Sequence, residues 1–344
     1  VLDALGAAGL EPLGVLNHVS LPAWFAEAGG WRRPEAAWSF ERYATRMAEA
    51  FADRCRWWVS LFEPMHTLYQ GYLAGRWPPG SRHPITALFK ALPRMQQAHA
   101  AAYQALHAQR ADARVGIVVR AGVCEPCEPE RSWDVRAARA ASRRPHLFLG
   151  NQPVQCLTDA APHTDECAVP LDFLGVTLAE PRTVRFSLSR PRRLFLHHAA
   201  SQSEHEGSAE RRDPAVSART YGAMLREMAA YGQPLLAAGC AIAPADDAER
   251  CRILLGVLEG VWEALEAGID VQGYFHRSLL DGFEWTRGYS ARYGLVHVDR
   301  ESLARTPNPS AYLYRDICTT GTIRPGAAAT LCPDWSHEPE SNPS

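Results

Sequence analysis

The stretch WWVSLFEP, residues 57–64, is a short apolar run closed by a Glu-Pro pair. It reads as one buried strand among six of the same kind, bounded by turn residues and too short to stand as helices. The others run from Pro12 to His18, Val115 to Gly122, Asp172 to Thr177, Pro234 to Gly239 and Val271 to Ser278. Longer amphipathic segments alternate with them: Pro34 to Ala52, with Trp38, Tyr43, Met47 and Phe51 on one face, then Met95 to Gln109, Ala218 to Tyr231 and Ala248 to Ala267. Strand and helix in alternation predict a parallel sheet joined by crossover helices. Before the first strand, LDALGAAGL reads as the end of a helix capped at Gly9, so the chain is expected to lack its true beginning, with a non-ATG start codon as the alternative.

The 344 residues carry 36 Lys and Arg against 38 Asp and Glu, a formal charge of −2. That balance argues against nucleic acid or a membrane surface as partner. At 47% hydrophobic and 22% charged the composition is that of a folded globular chain. The longest near-apolar stretch, Pro234 to Pro244, falls short of the roughly 20 residues that cross a bilayer, and no secretory signal is visible, so a cytoplasmic location is expected. Nine scattered cysteines do not make a disulfide scaffold. Residues 179 to 217 read as a polar surface insertion and 319 to 344 as a disordered tail, leaving 1 to 318 as one domain.

Three stretches at the ends of the strands resemble family 1 glycoside hydrolases, the β-glucosidase family. LNHVSLPAWFAEAGGW, residues 16–31, is similar to the family's Tyr-His-Trp-Asp-Leu-Pro followed by Gly-Gly-Trp. WWVSLFEP is similar to its strand ending in Asn-Glu-Pro. GYFHRSLLDGFEWTRGYSARYGLVHVD, residues 273–299, is similar to its C-terminal signature over nearly the whole length. The resemblance implies an α/β fold of the (β/α)₈ TIM-barrel type, with catalytic groups at the C-terminal ends of the strands. The six runs then correspond to strands three to eight. The first two βα units have no counterpart, so about six parallel strands and two open sheet edges are expected.

A retaining glycosidase needs two carboxylates about 5–5.5 Å apart, a proton donor and a nucleophile. The resemblance sets Glu63 at the acid/base position, with Phe62 in place of the usual Asn. It sets Gly239 at the nucleophile position, where the carboxylate is lost. Asp246 and Asp247 follow past Pro244 and read as a helix N-cap. Cys240 reads as a small buried thiol rather than a substitute nucleophile.

Among substrate-binding positions, His18, Glu284 and Trp285 match the family, whereas Val19 stands for a Trp, Thr177-Leu178 for Asn-Tyr, and Arg277 for the Trp beneath the sugar. His18 reads equally as a core histidine. Glu284 reads as a sugar acceptor or as the ion-pair partner of Arg277 or Arg287. Arg277 reads as a fork for phosphate or carboxylate, or as a partner of Glu63 or Glu284.

Cys124-Glu-Pro-Cys127 with Cys156, His163 and Cys167 has loosely zinc-like spacing, but irregular partners favour loop cysteines. His197, His198 and His205 read as solvated. No metal and no cofactor is therefore expected, and the partner is a small-molecule glycoside or sugar, with oligomeric state open. The expected function is that of a β-glucosidase-type protein of carbohydrate metabolism that keeps Glu63 and lacks the nucleophile, weakly active or inactive. The alternatives are a non-catalytic carbohydrate or anionic-metabolite binding protein, or a truncated pseudogene product.

Overall fold

A computed structural model describes residues 1–143, 148–149, 169–179, 182–187, 196–199, 220–324, 326 and 330. Eleven strands are described: β1 (Leu13–Asn17), β2 (Trp57–Phe62), β3 (Arg114–Ala121), β4 (Cys124–Pro126), β5 (Phe173–Leu178), β6 (Arg182–Phe186), β7 (Leu196–Ala199), β8 (Leu235–Cys240), β9 (Val271–Tyr274), β10 (Val296–Val298) and β11 (Arg305–Pro307). The main sheet is wholly parallel in the order β1-β2-β3-β5-β8-β9, so each new strand is added on the same side. Helices Ala36–Phe51, Thr86–Gln109, Tyr221–Ala229 and Asp247–Glu266 fall between its strands. This is the βα alternation of a (β/α)₈-type barrel, represented by six of its strands. β1 and β9 each have one neighbour in it.

The period of two along each strand divides the side chains between two layers. On β3, Val115, Ile117 and Val119 join the large cluster under the helices, while Val118 turns to the other face and meets Val59, Phe173 and Leu236. That second cluster, edged by Leu13, Trp57, Phe62 and Ala238, is the inside of the barrel. Glycine makes the room for it. A Cβ at Gly116 would stand 2.7 Å from the Phe173 ring, and one at Gly175 would stand 2.6 Å from Val118.

Three elements differ from the sequence reading. The helix before β3 begins at Thr86, nine residues ahead of the expected Met95, and carries Pro93 within it. Its buried face, Ala87, Leu88, Ala91 and Leu92, simply continues across the proline. The helix Ala36–Phe51 buries Ala36, Phe40, Ala44 and Ala48, and of the expected stripe only Met47 and Phe51 pack, partly buried, against the same core. Trp38 and Tyr43 stay exposed, because the alanines permit close approach to the helix Thr86–Gln109. Within the stretch read as an insertion, β6 and β7 pair with each other, and β6 also pairs with β4, to make a small second sheet. The last long helix, Pro309–Thr320, runs past the expected boundary at residue 319, and Ile323 packs on the cluster it forms with the helix Asp247–Glu266. Most of the expected tail, and Cys156, His163, Cys167 and His205, lie outside the described residues.

A polar chain ties the long helix to the sheet. His99 Nδ1 lies 2.6 Å from Ser60 Oγ on β2, and His99 Nε2 lies 2.6 Å from the Pro170 carbonyl. Asp172 accepts from Tyr103 at 2.8 Å, from the Val115 N–H at 2.8 Å and from His107 at 2.9 Å. A carbonyl can only accept, so Nε2 carries the proton and Nδ1 accepts from the serine. Burial pushes His99 down to about 4 from its ordinary 6.5. The folded state therefore holds it neutral, and its contribution is complete above pH 6.5 and is lost as pH falls toward 4. The unfolding free energy is expected to fall across that window by on the order of 3 kcal/mol for this ring alone, and the denaturant midpoint with it. His99→Gln is expected to be less stable at pH 7.5 but to lose less between pH 6.5 and 4.5. An unchanged acid slope in chemical denaturation would contradict the assignment.

Candidate active site

β2 delivers Glu63 through a sharp bend. Its backbone sits in the left-handed region at φ 48°, ψ 55°, and its N–H donates to the Val118 carbonyl at 2.7 Å. Pro64 then opens the helix Pro64–Leu68 with a φ already suited to it. A left-handed non-glycine residue is unfavourable by about 1–3 kcal/mol, and such conformations gather where a side chain must be aimed. The result is a carboxylate only 4% exposed. Oε2 accepts from Arg120 Nη1 at 3.3 Å, whereas Oε1 is buried with no hydrogen-bond partner. Glu63, Arg120, His66 and Tyr69 share a cavity wall there.

His18 follows β1, and its ring centroid lies 4.5 Å from that of Phe62. It is solvent-exposed at the cleft mouth rather than a core histidine. Enclosure by the cleft pushes its pKa below the ordinary value, Arg277 acts in the same direction and Glu63 opposes both. The ring thus senses charges from both sides of the mouth.

Arg277 follows β9. Its Nη2 donates to Glu284 Oε2 at 2.5 Å, and its guanidinium lies 4.6 Å from the centroid of Tyr293. Of the pairings open from sequence, the one with Glu284 is therefore the one formed. Tyr293 is buried, donates to the Ala241 carbonyl at 3.2 Å, and has its phenol pKa raised by burial. Trp285, beside Glu284, is left-handed at φ 49°, with its ring 6.0 Å from Trp77. Trp77 in turn meets His66 at 4.7 Å. Asp281 holds this loop, accepting from Gly294 N at 3.0 Å and lying 2.9 Å from His297 Nδ1.

At Gly239 no hole opens. Its φ is +93°, and an added Cβ would stand 3.2 Å from Arg277 Cβ and from the Phe275 carbonyl oxygen. The stem and backbone of Arg277 therefore crowd the direction in which a side chain would leave. Asp246 and Asp247 are used elsewhere: Asp246 accepts from Glu249 N at 2.8 Å as a helix cap, and Asp247 accepts from Ser310 N at 2.9 Å and Ser310 Oγ at 2.6 Å. Cys240 is buried. Thr177 donates to the Ala238 carbonyl at 3.4 Å.

Cys127 accepts from Arg185 at 3.5 Å, and among the described residues no cluster of three or more His, Cys, Asp or Glu is placed to hold a metal. No helix among them is long and apolar enough to cross a membrane. Sequence reasoning missed Arg120, Trp77, Tyr293 and Asp281. A lone arginine within the apolar run 115–122 was the available signal for the first.

Residues 1–152 and 238–322 match the family model for Glycosyl hydrolase family 1. The chain belongs to that family. It is 29% identical to human lactase/phlorizin hydrolase over 98% of its own length and 20% of that protein's. It is 28% identical to β-glucosidase A of Thermotoga maritima over 92% of its length and 75% of the relative's. A β-glycosidase structure from Pyrococcus horikoshii superimposes with a TM-score of 0.79 at 30% identity, over 96% of this chain and 76% of that one. A family 1 β-glucosidase from Thermotoga maritima does so with a TM-score of 0.80 at 25% identity, over 94% and 77%.

Because Gly239 combines a left-handed backbone with crowded neighbours, placing a carboxylate side chain there is expected to fail. Gly239→Glu should lower stability by about 1–3 kcal/mol in denaturant titration and yield no gain in aryl β-glucosidase activity. A variant as stable as the parent that turned over a β-glucoside would show that the floor of the cleft is open.

Proposed function

We propose that this family 1 protein binds β-glycosides at the C-terminal mouth of its barrel and retains the proton donor without the retaining nucleophile. Glu63 is the acid. The sugar is held by His18, Glu284 and Trp285, with Trp77 extending the aromatic wall. The reading rests on one observation: at the end of β8, where the family resemblance sets the nucleophile, the chain presents Gly239 with the stem of Arg277 packed against it. A double displacement through a glycosyl-protein ester has no attacking oxygen there. Relatives named as β-glucosidases, one of them solved with glucoimidazole, support a β-glucoside as ligand.

Binding and chemistry separate cleanly in experiment. Titration of an aryl β-glucoside into the protein, followed by tryptophan fluorescence, is expected to saturate. Glu284→Gln and Trp285→Ala should each weaken binding by about tenfold, the loss of one charge-assisted hydrogen bond or one stacking face. Mass spectrometry with a slow fluorinated glycoside is expected to find no covalent adduct. A trapped sugar ester, with product of unchanged anomeric configuration, would overturn the proposal.

A further inference from the structure

The cavity that Glu63 lines has a volume of about 70 Å³. That is room for more than a single water, whose share of the liquid is about 30 Å³. Separate segments wall it. The turn after β2 brings His66 and Tyr69, the end of β3 brings Val119 and Arg120, and the start of β6 brings Arg182. Pairing of β4 with β6 sets Arg182 beside Cys124, whose N–H donates to Ser142 Oγ at 2.9 Å. The far wall is thereby tied to the helix Ser132–Ser142 and does not depend on one loop.

This wall is rich in donors. It holds two guanidiniums, Arg120 and Arg182, against the single carboxylate of Glu63. Arg120 gives that carboxylate one contact, from Nη1 at 3.3 Å, and among the described residues its guanidinium makes no other hydrogen bond. A guanidinium carries five N–H donors in a planar fork that matches a carboxylate. The Arg120 side chain is only 16% exposed, and Val119 and Ala141 supply apolar wall beside it. A cation so enclosed attracts an anion more strongly than one in open water.

On the glycoside reading above, on which this inference rests, the acid meets the oxygen that joins sugar to aglycone. Whatever lies beside the acid is then either sugar or aglycone. The residues assigned to the sugar, His18, Glu284 and Trp285, take no part in this wall, so the cavity falls to the aglycone. We infer that it selects β-glycosides whose aglycone ends in a small carboxylate, with Arg120 and Arg182 as the specificity-determining residues. Size points the same way. An apolar cavity of about 150 Å³ holds benzene, and one of half that volume suits a carboxylate on a short carbon stem.

Isothermal titration calorimetry of the whole chain compares carboxymethyl β-D-glucoside with its amide, which has the same shape and no charge. The carboxylate is expected to bind about tenfold more tightly, the gain of a charge-assisted over a neutral hydrogen bond. Arg120→Gln should remove most of that preference. Arg182→Gln, which leaves the contact between Arg120 and Glu63 in place, should remove part of it. Glu63→Gln takes away the carboxylate that competes for Arg120 and should widen the preference, an effect that a purely structural Arg120 would not produce. If Arg120→Gln does not fold, the other two variants decide. Equal affinity for the two compounds, a preference untouched by both arginine substitutions, or one that narrows in Glu63→Gln would overturn this inference and leave the glycoside reading standing. Binding of neither compound would remove both.

Discussion

Inside the barrel Gly116 leaves room for Phe173 and Gly175 leaves room for Val118, and the rest of the fold is arranged around that packing. A sheet buried on both faces must fill its inner layer from a few positions per strand, and here Val59, Val118, Phe173 and Leu236 do so. Once these four meet, registers such as Val59 with Gly116 and Ile117 with Leu174 are set. A slip of one residue would turn Val118 outward and Val119 inward and break both layers. Register at the barrel centre fixes where each strand stops. That brings His18, Glu63, Gly239 and Arg277 to a common rim from positions spread over 260 residues of chain.

Charge at that rim is organised in two pairs. Arg120 supports Glu63, and Arg277 supports Glu284. Each pair is partly withdrawn from water, where removal of one member leaves the other uncompensated. Arg277 beside Gly239 bears on more than one of these groups. It engages Glu284, places a positive charge near His18, and fills the volume beside the glycine. A side chain leaving Gly239 would meet Arg277 Cβ and the Phe275 carbonyl oxygen at 3.2 Å.

Much of the architecture was legible from residue order. The six strands appear within a few residues of the apolar runs, because short β-branched segments bounded by glycine, proline and charge have few other ways to bury themselves. Pro93 hid the first two turns of the helix Thr86–Gln109, since local propensity counts against a proline that tertiary burial on either side outweighs. The strand β6, Arg-Thr-Val-Arg-Phe, offers Val184 and a partly buried Phe186 to a small core, too little signal to stand out from a polar stretch. Trp38 and Tyr43 misled in the opposite sense, because size suggested burial where alanine decided the helix contact.

By itself the sequence determined the class of fold, the strand ends, the family resemblance and the absence of a carboxylate at residue 239. Each is written in local pattern, in the type and spacing of residues a few positions apart. Only the tertiary structure decided that Arg277 pairs with Glu284 and rests on Tyr293, that Arg120 reaches Glu63 across 57 positions, and that the place beside Gly239 is filled. Charge pairing and van der Waals contact depend on distances of a few ångströms, and separation along a chain says nothing of those until strands are set side by side.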